Sequence, residues 1–303
     1  MDRNSFGDSN PIHAVLAAAS RRDILKRAIA LGGVTAAGLF SPELVRLAAA
    51  AAGPPSAPHD FDLRKVVVGT STFNYITPVR NQDQYAPCNS CTAFAVIATI
   101  EGSYNRQKNT PILDPSKPSP AYSEGQLFFC SGPADGCVAS AWYPEDALDY
   151  CIERGVTDRN NNDYVSHWCN MPNKVTDWNW QKLKGAKRLN DATGMKQWIS
   201  DPSGGPVIAV MLEYDDLPGW TGGEPNIYTP TTNVRVGGHV VSIVGYDDGD
   251  PHRPVTNPPV WICKNSWGDQ WNRDPVSNVG GYFRIKQGDC YIDSFDMWGV
   301  VVA

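Results

Sequence analysis

A cysteine, a histidine and an asparagine stand where predicted elements of the chain begin or end. Cys91 comes just before apolar residues spaced as on one face of a helix, so it falls in the first turn of that helix. His239 opens a predicted strand, and Asn265 directly follows another. A thiolate attacks a carbonyl carbon, an imidazole moves the proton, and an amide orients the imidazole. These three side chains are therefore candidates for acyl transfer.

The start of a helix favours the reactive form of the Cys91 thiol. Free backbone N–H groups and the helix dipole stabilise a thiolate there. With His239 as the proton acceptor, we expect a thiolate and imidazolium pair. The backbone N–H of Cys91 and a side-chain amide are expected to bind the oxyanion that forms during the attack.

His239 and Asn265 are expected to be neighbours although they are far apart in the chain. The segment 247–259 contains an Asp-Asp-Gly-Asp-Pro run and reads as the loop of an antiparallel hairpin. In such a hairpin the start of the first strand lies beside the end of the second. The hairpin therefore brings the imidazole next to the amide.

The rest of the chain divides into helix signals followed by strand signals. Helices are predicted after Cys91, after a capping box at residues 123–126, and from residue 144 to 155. Residues 156–193 are expected to form an elaborated loop region. The predicted strands are 207–212, 240–246, 260–263, 282–286 and 298–302. This order favours an α+β fold with a cleft between a helical and a β lobe.

Composition excludes several classes of protein. The chain has 26 Lys and Arg against 32 Asp and Glu, a net charge of −6, which disfavours nucleic acid as a partner. A hydrophobic content of 42% disfavours disorder.

A zinc site based on Cys88 and Cys91 lacks a well-spaced second half, and a thioredoxin-like dithiol there would leave His239 and Asn265 unexplained. We therefore predict no metal and no cofactor.

The first 52 residues have the features of an export leader. Residues 20–26 read Ser-Arg-Arg-Asp-Ile-Leu-Lys and precede the uncharged stretch 28–40, which resembles a twin-arginine signal. That stretch is shorter than the roughly 20 residues that span a bilayer. We expect cleavage near the alanine run 48–52, a linker at 53–60, and a monomeric periplasmic or extracellular product without stable membrane insertion.

Four ordered sequence blocks resemble the signature blocks of papain-like cysteine peptidases. The segments at 61–64, 122–137 and 281–285 resemble further parts of that family, so the resemblance spans nearly all of residues 61–303. The four blocks are Ile-Thr-Pro-Val-Arg-Asn-Gln at 76–82, Cys-Asn-Ser-Cys-Thr-Ala-Phe at 88–94, Gly-His-Val-Val at 238–241 with Val-Gly-Tyr at 244–246, and Lys-Asn-Ser-Trp-Gly at 264–268.

The resemblance implies a papain-like two-lobe fold and hydrolysis of peptide bonds in peptide or protein substrates. The helical lobe would cover residues 61–200 and an antiparallel β-barrel-like lobe residues 201–303, with the active site between them. Cys91 would be the nucleophile, His239 the base and Asn265 its orienter. Gln82 would donate to the oxyanion, with Gln84 as a rival because the loop before Cys88 is longer than in the family.

The resemblance also implies roles for other residues. Trp267 would shield the His and Asn pair from water and border the substrate, which Ser140, Val210 and Gly238 would also contact. Thr92 stands where the family has Trp, and residues 138–140 replace its Asn-Gly-Gly. The disulfides would be Cys88–Cys137 and Cys130–Cys169, and the other cysteines outside the site, which we expect to be buried thiols, are Cys151, Cys263 and Cys290.

Two other functions use the same residues. A papain-fold binding protein would have lost peptide access through the inserted residues 83–87 and the altered residues 138–140. An acyl transferase or transpeptidase would pass the acyl group from Cys91 to an amine other than water. Fold alone does not separate these functions from hydrolysis.

Overall fold

The longest described helix begins at Cys91 in the computed structural model, as the sequence predicts. It ends at Lys108, because the next residue, Asn109, takes a left-handed conformation with φ 52°. Arg106 and Lys108 in its last turn suit the negative end of the helix dipole.

The structure describes residues 56–117, 119–138, 142–162, 164, 169, 180–250, 252 and 256–303, so the predicted leader at 1–52 lies outside it.

The two other predicted helices are confirmed. The prediction of a loop region at 156–193 is wrong for its last part, which contains a seven-residue strand of the main sheet (Leu183–Leu189) and the start of a fourth helix. The Ser123 hydroxyl accepts a hydrogen bond from the Gln126 backbone N–H at 2.8 Å, the contact that a capping box provides. Pro144 occupies the first turn of the third helix, where its missing N–H costs nothing. The helices are α1 (Cys91–Lys108), α2 (Glu124–Ser131), α3 (Pro144–Glu153) and α4 (Ala192–Ser200).

Most described strands join one sheet with the order β6-β12-β7-β9-β10-β11-β8, and β1 pairs with β9. The pairings are antiparallel except for β11 with β8, and among the described residues they form an open path. The strands are β1 (Asp60–Asp62), β2 (Val66–Val68), β3 (Ser71–Phe73), β4 (Val156–Thr157), β5 (Trp180–Gln181), β6 (Leu183–Leu189), β7 (Val207–Tyr214), β8 (Ile227–Tyr228), β9 (Arg235–Asp247), β10 (Val260–Lys264), β11 (Tyr282–Lys286) and β12 (Met297–Val302).

The predicted hairpin is formed by β9 and β10, with Val260 opposite Asp247 and Lys264 opposite Ser242. The predicted start of its first strand is wrong, because β9 begins at Arg235 and not at the histidine. The Gly-Gly pair at 237–238 continues the ladder by pairing with β7. Neighbouring strands therefore override the low strand propensity of glycine.

Two apolar cores lie on opposite sides of the sheet. Val207 and Ala209 of β7 belong to one core and Ile208 to the other, as the alternation of side chains along a strand requires. The second core joins the sheet to α1, α2 and α3. These helices and the sheet confirm the α+β class. Among the described residues no helix is long and apolar enough to cross a membrane.

Each of the two cores draws residues from both sides of residue 200. Leu63, Tyr75 and Ile76, from the segment assigned to the helical lobe, pack in the sheet core. The predicted linker is also tied to the sheet, since the Tyr246 hydroxyl donates to the Pro58 carbonyl at 3.0 Å. Residues 56–303 form one compact unit.

Four charged side chains form a buried network behind the end of β10, which we call the charge network: Arg80, Glu101, Glu124 and Lys264. Arg80 pairs with both carboxylates. The Lys264 ammonium donates to the Thr77 carbonyl at 2.8 Å, and the Thr77 hydroxyl donates to Glu101 at 2.6 Å. Burial lowers the pKa of Lys264 to about 8. The network connects α1, α2, β10 and the loop before α1.

Removal of one carboxylate from the charge network should destabilise the fold. Glu101→Gln would leave Arg80 and Lys264 buried with only one carboxylate, a loss that costs about 3 kcal/mol in comparable buried pairs. Urea unfolding measures the change, and Glu153→Gln at the exposed end of α3 is the matched control. Equal stability of the two variants would contradict a structural role for the network.

Candidate active site

A cavity of about 810 Å³ opens between the start of α1 and the strands β7 and β9. Cys91 and Thr92 line it from the helix, and His239 lines it from β9. The Cys91 side chain is partly exposed, whereas His239 is only 2% exposed. The cavity therefore brings the thiol and the imidazole to one surface that a substrate can reach.

His239 and Asn265 are joined by a hydrogen bond of 2.7 Å between Nε2 and Oδ1. The neighbourhood predicted from the hairpin is thus present. The Ser266 backbone N–H also donates to Asn265 Oδ1 at 2.8 Å, and the Asn265 N–H donates to the Gly281 carbonyl at 2.9 Å. Because an amide oxygen only accepts, the contact places a proton on Nε2 of the neutral imidazole and leaves Nδ1 as its acceptor.

Trp267 covers the imidazole. Its indole stacks on the His239 ring with centroids 4.7 Å apart and an interplanar angle of 27°. Trp271 packs edge-on against Trp267 with centroids 5.1 Å apart, and its Nε1 donates to the Pro218 carbonyl. The two indoles exclude water from one side of the His and Asn pair.

Burial is the main influence on the protonation of both reactive groups. It lowers the pKa of His239 to about 4, against the opposing effect of the hydrogen bond that His239 donates to Asn265. It also raises the pKa of Cys91, while hydrogen bonds from the backbone N–H groups of Val240 and Thr92 favour the thiolate. A lone imidazolium or a lone thiolate is therefore disfavoured in this site.

Gln82 is the glutamine that faces the cavity. Its Nε2 donates to the Cys88 carbonyl at 2.8 Å, and its Oε1 accepts from the Ser266 hydroxyl at 2.6 Å. The Tyr164 hydroxyl donates to the Gln82 carbonyl at 2.8 Å. Gln84 is exposed and does not contribute to the cavity lining among the described residues.

Of the three other residues predicted to contact the substrate, two line the cavity and one lies outside the described residues. Val210 and Gly238 line the cavity from β7 and β9. Ser140 lies outside the described residues. Trp142 and Tyr143 also line the cavity, and the Thr92 hydroxyl donates to the Trp142 carbonyl at 2.6 Å.

The cysteines fall into two disulfides and four free thiols. Disulfides join Cys88 to Cys137 and Cys130 to Cys169, the pairs that the resemblance implies. Besides the partly exposed Cys91, the thiols of Cys151, Cys263 and Cys290 are buried, as expected, and burial raises their pKa values.

Three residues at the site were not expected from the sequence. Ser266 lies in the block 264–268, but the resemblance implies roles only for its neighbours Asn265 and Trp267. Tyr164 comes from the loop region without periodicity, where no sequence signal indicates a contact with Gln82. Glu213 lines the cavity from a strand whose apolar pattern ends just before it.

Solved structures with this fold are those of papain-like cysteine proteases. The bromelain protease from Ananas comosus in complex with the E64 inhibitor matches with a TM-score of 0.58 and 24% identity, over 80% of this chain and 99% of that one. The digestive procathepsin L2 proteinase from the Tenebrio molitor larval midgut matches with a TM-score of 0.59 and 25% identity, over 81% of this chain and 68% of that one. The fold is therefore papain-like.

The family model of the papain family cysteine proteases matches residues 57–299, so the chain belongs to that family. Fruit bromelain of Ananas comosus is 26% identical over 222 residues, which are 71% of this chain and 53% of that protein. Macrodontain-1 of Ananas macrodontes is 28% identical over 222 residues, 71% of this chain and 85% of that protein. The chain thus spans about half the length of fruit bromelain.

The buried imidazole should make the fold sensitive to acid. His239 has a pKa of about 4 in the folded state and about 6.5 in the unfolded chain, so below pH 6.5 the unfolded chain takes up a proton that the folded chain does not bind. This uptake should cost about 2 kcal/mol of folding free energy between pH 7 and pH 5. Urea unfolding of the wild type and of His239→Gln at both pH values measures the difference.

The control for this measurement is His252→Gln, since His252 is exposed. That variant should lose as much stability on acidification as the wild type does, whereas His239→Gln should lose about 2 kcal/mol less. Equal losses in all three proteins would show that His239 does not resist protonation.

Proposed function

We propose that this protein is an exported cysteine peptidase that hydrolyses peptide bonds, with Cys91 as nucleophile, His239 as base and acid, and Asn265 as orienter. The observation that carries the proposal is the 2.7 Å bond between His239 Nε2 and Asn265 Oδ1 in the wall of the cavity that Cys91 also lines. A thiol, an imidazole and an amide in this order meet the needs of acyl transfer.

The first step is transfer of the Cys91 proton to Nδ1 of His239. Burial disfavours each ion alone, but the thiolate and the imidazolium form together and stabilise each other's charge. Asn265 keeps Nε2 protonated and fixes the ring, and Trp267 limits solvation of the imidazolium from one side. The proton transfer therefore takes place within a preorganised pair.

The thiolate then attacks the substrate carbonyl carbon. A C–S bond forms, and the carbonyl oxygen becomes an oxyanion that the Cys91 backbone N–H and the Gln82 side chain bind. The Gln82 amide has two N–H groups, of which one donates to the Cys88 carbonyl and the other remains for the oxyanion. Ser266 holds the amide oxygen, so the amide nitrogen stays directed toward the site.

Collapse of the tetrahedral intermediate breaks the C–N bond. The His239 imidazolium gives the Nδ1 proton to the departing amine, and a thioester to Cys91 remains. Water then attacks the thioester while His239 accepts its proton, the C–S bond breaks, and the acid product leaves. The proton returns to the Cys91 sulfur, which restores the starting thiol and imidazole.

The site of action is proposed to be the periplasm or the cell exterior. The paired arginines at 21–22 and the uncharged stretch 28–40 support export by the twin-arginine route. The disulfides Cys88–Cys137 and Cys130–Cys169 suit an oxidising compartment. We propose a monomer that acts on peptide or protein substrates, with Val210, Gly238 and Ser140 bordering the bound chain.

An irreversible epoxide thiol reagent tests the nucleophile. Because the other free thiols are buried, peptide mapping of the treated protein should find the label on Cys91. His239→Ala should abolish both labelling and cleavage of casein, and Cys91→Ser should lower kcat by at least about 10³-fold. Cys151→Ala, a change at a buried thiol outside the cavity, is the control and should keep both.

The same experiment separates the competing functions. Cys91 labelling with release of new amino termini in water supports the peptidase. Labelling with transfer of the acyl group to an added amine, and without hydrolysis, would establish the transferase instead. A folded, reduced protein that neither reacts at Cys91 nor cleaves casein would be a papain-fold binding protein.

The two glutamines before Cys88 differ in their expected effects on rate. Gln82→Ala should lower kcat by about 10²-fold with a small change in KM, because the oxyanion exists only near the transition state. Gln84→Ala is the matched control and should retain full activity, since Gln84 is exposed away from the cavity. A larger loss from Gln84→Ala would transfer the oxyanion role to that residue.

A further inference from the structure

Glu213 presents a carboxylate in the wall of the catalytic cavity. It lies near the end of β7, opposite Gly237 of β9, and it is half-buried. No hydrogen bond or ion pair joins Glu213 to another of the described residues. The other carboxylates buried near the site are paired in the charge network, so Glu213 differs from them.

The register of β7 and β9 places Glu213 on the same face of the sheet as His239. Met211 is directly opposite His239, and paired residues of antiparallel strands point to the same face. Glu213 is two residues beyond Met211, so its side chain returns to that face. Val210 is opposite Val240 and points to the other face.

His239 defines which part of a substrate reaches Glu213. The imidazolium delivers its proton to the departing amine, so the residues after the scissile bond lie on the His239 side of the nucleophile. Glu213 shares the face of His239, whereas Val210 lies on the opposite face of β7. Glu213 therefore borders the leaving group.

The surroundings of Glu213 suit a cationic side chain. Among the described residues that line the cavity there is no Lys or Arg, and Asp83 adds a second carboxylate. Burial raises the pKa of Glu213, and Asp83 raises it further, so the ionised carboxylate gains from a cation. The indoles of Trp267 and Trp271 line the same cavity and offer packing for the alkyl part of Lys or Arg.

We propose that Glu213 selects substrates with Lys or Arg in the first two positions after the scissile bond. The proposal rests on the peptidase function and adds its substrate class. Asp83 contributes long-range attraction from the loop before α1, where its Oδ1 accepts from the Cys88 N–H at 2.9 Å. Glu213 supplies the direct ion pair, and the two indoles pack against the stem.

Cleavage-site mapping tests this proposal. The full-length protein digests a peptide library, and mass spectrometry identifies the residues on both sides of each cut. A peptide that is cut is then synthesised in two forms, with Lys or with the uncharged norleucine at the first or second position after the scissile bond. Values of kcat/KM are measured for the wild type, Glu213→Gln, Glu213→Lys and the exposed control Glu153→Gln.

The wild type and Glu153→Gln should prefer the Lys peptide by about tenfold, the effect of one partly desolvated ion pair. Glu213→Gln should bring the ratio close to one, and labelling of its Cys91 by the epoxide reagent shows that the variant is folded. Glu213→Lys should prefer a Glu peptide over the Lys peptide.

Two results would overturn the inference in distinguishable ways. Equal kcat/KM of the wild type for both peptides, or a Lys preference that survives in Glu213→Gln, would remove the role of Glu213 and leave the peptidase function intact. Failure of the wild type to cut any member of the library would overturn the proposed function and, with it, the substrate class.

Discussion

The charge network is the constraint on which the geometry of the site depends. Arg80 stands two residues before Gln82, and Lys264 directly precedes Asn265. The helix that begins at Cys91 carries one of the two carboxylates. A buried charge that loses its partner costs several kcal/mol of folding free energy, so separation of these stretches of chain is strongly unfavourable. The network therefore holds Cys91, Gln82 and Asn265, the proposed nucleophile, oxyanion donor and orienting amide, in one arrangement, although its own members do not line the cavity.

Low solvation serves two purposes in this molecule. Around His239 and Cys91 it disfavours single ions, so charge appears as a pair when the proton moves. Around Glu213 partial burial leaves a carboxylate that has no cationic partner among the described residues. The reactive groups and the proposed selectivity thus share one physical basis, because a weakly solvated charge interacts strongly with a charge brought by the substrate or created in the reaction.

The sequence predicted correctly those features of the fold that depend on interactions between residues close together in the chain. The start of α1 at Cys91, the capping of α2 by Ser123 and the hairpin of β9 and β10 all depend on residues near one another in the chain. The early start of β9 depends on its pairing with β7, and the packing of residues 60–76 in the sheet core depends on strands far along the chain. The contacts of Tyr164 and the exposure of Glu213 to the cavity likewise follow from tertiary packing, which periodicity does not encode.

The loop 83–87 is exposed along its whole length, while both of its ends are fixed. Gln82 is held by Ser266 and Tyr164, and Cys88 by its disulfide, and the amide of Gln82 closes the loop on the Cys88 carbonyl. The entropic cost of closing a loop grows only slowly with its length. Insertions and deletions at this place can therefore accumulate during evolution without displacing Cys91 or Gln82. They provide a route by which relatives could acquire new surface contacts beside an unchanged site.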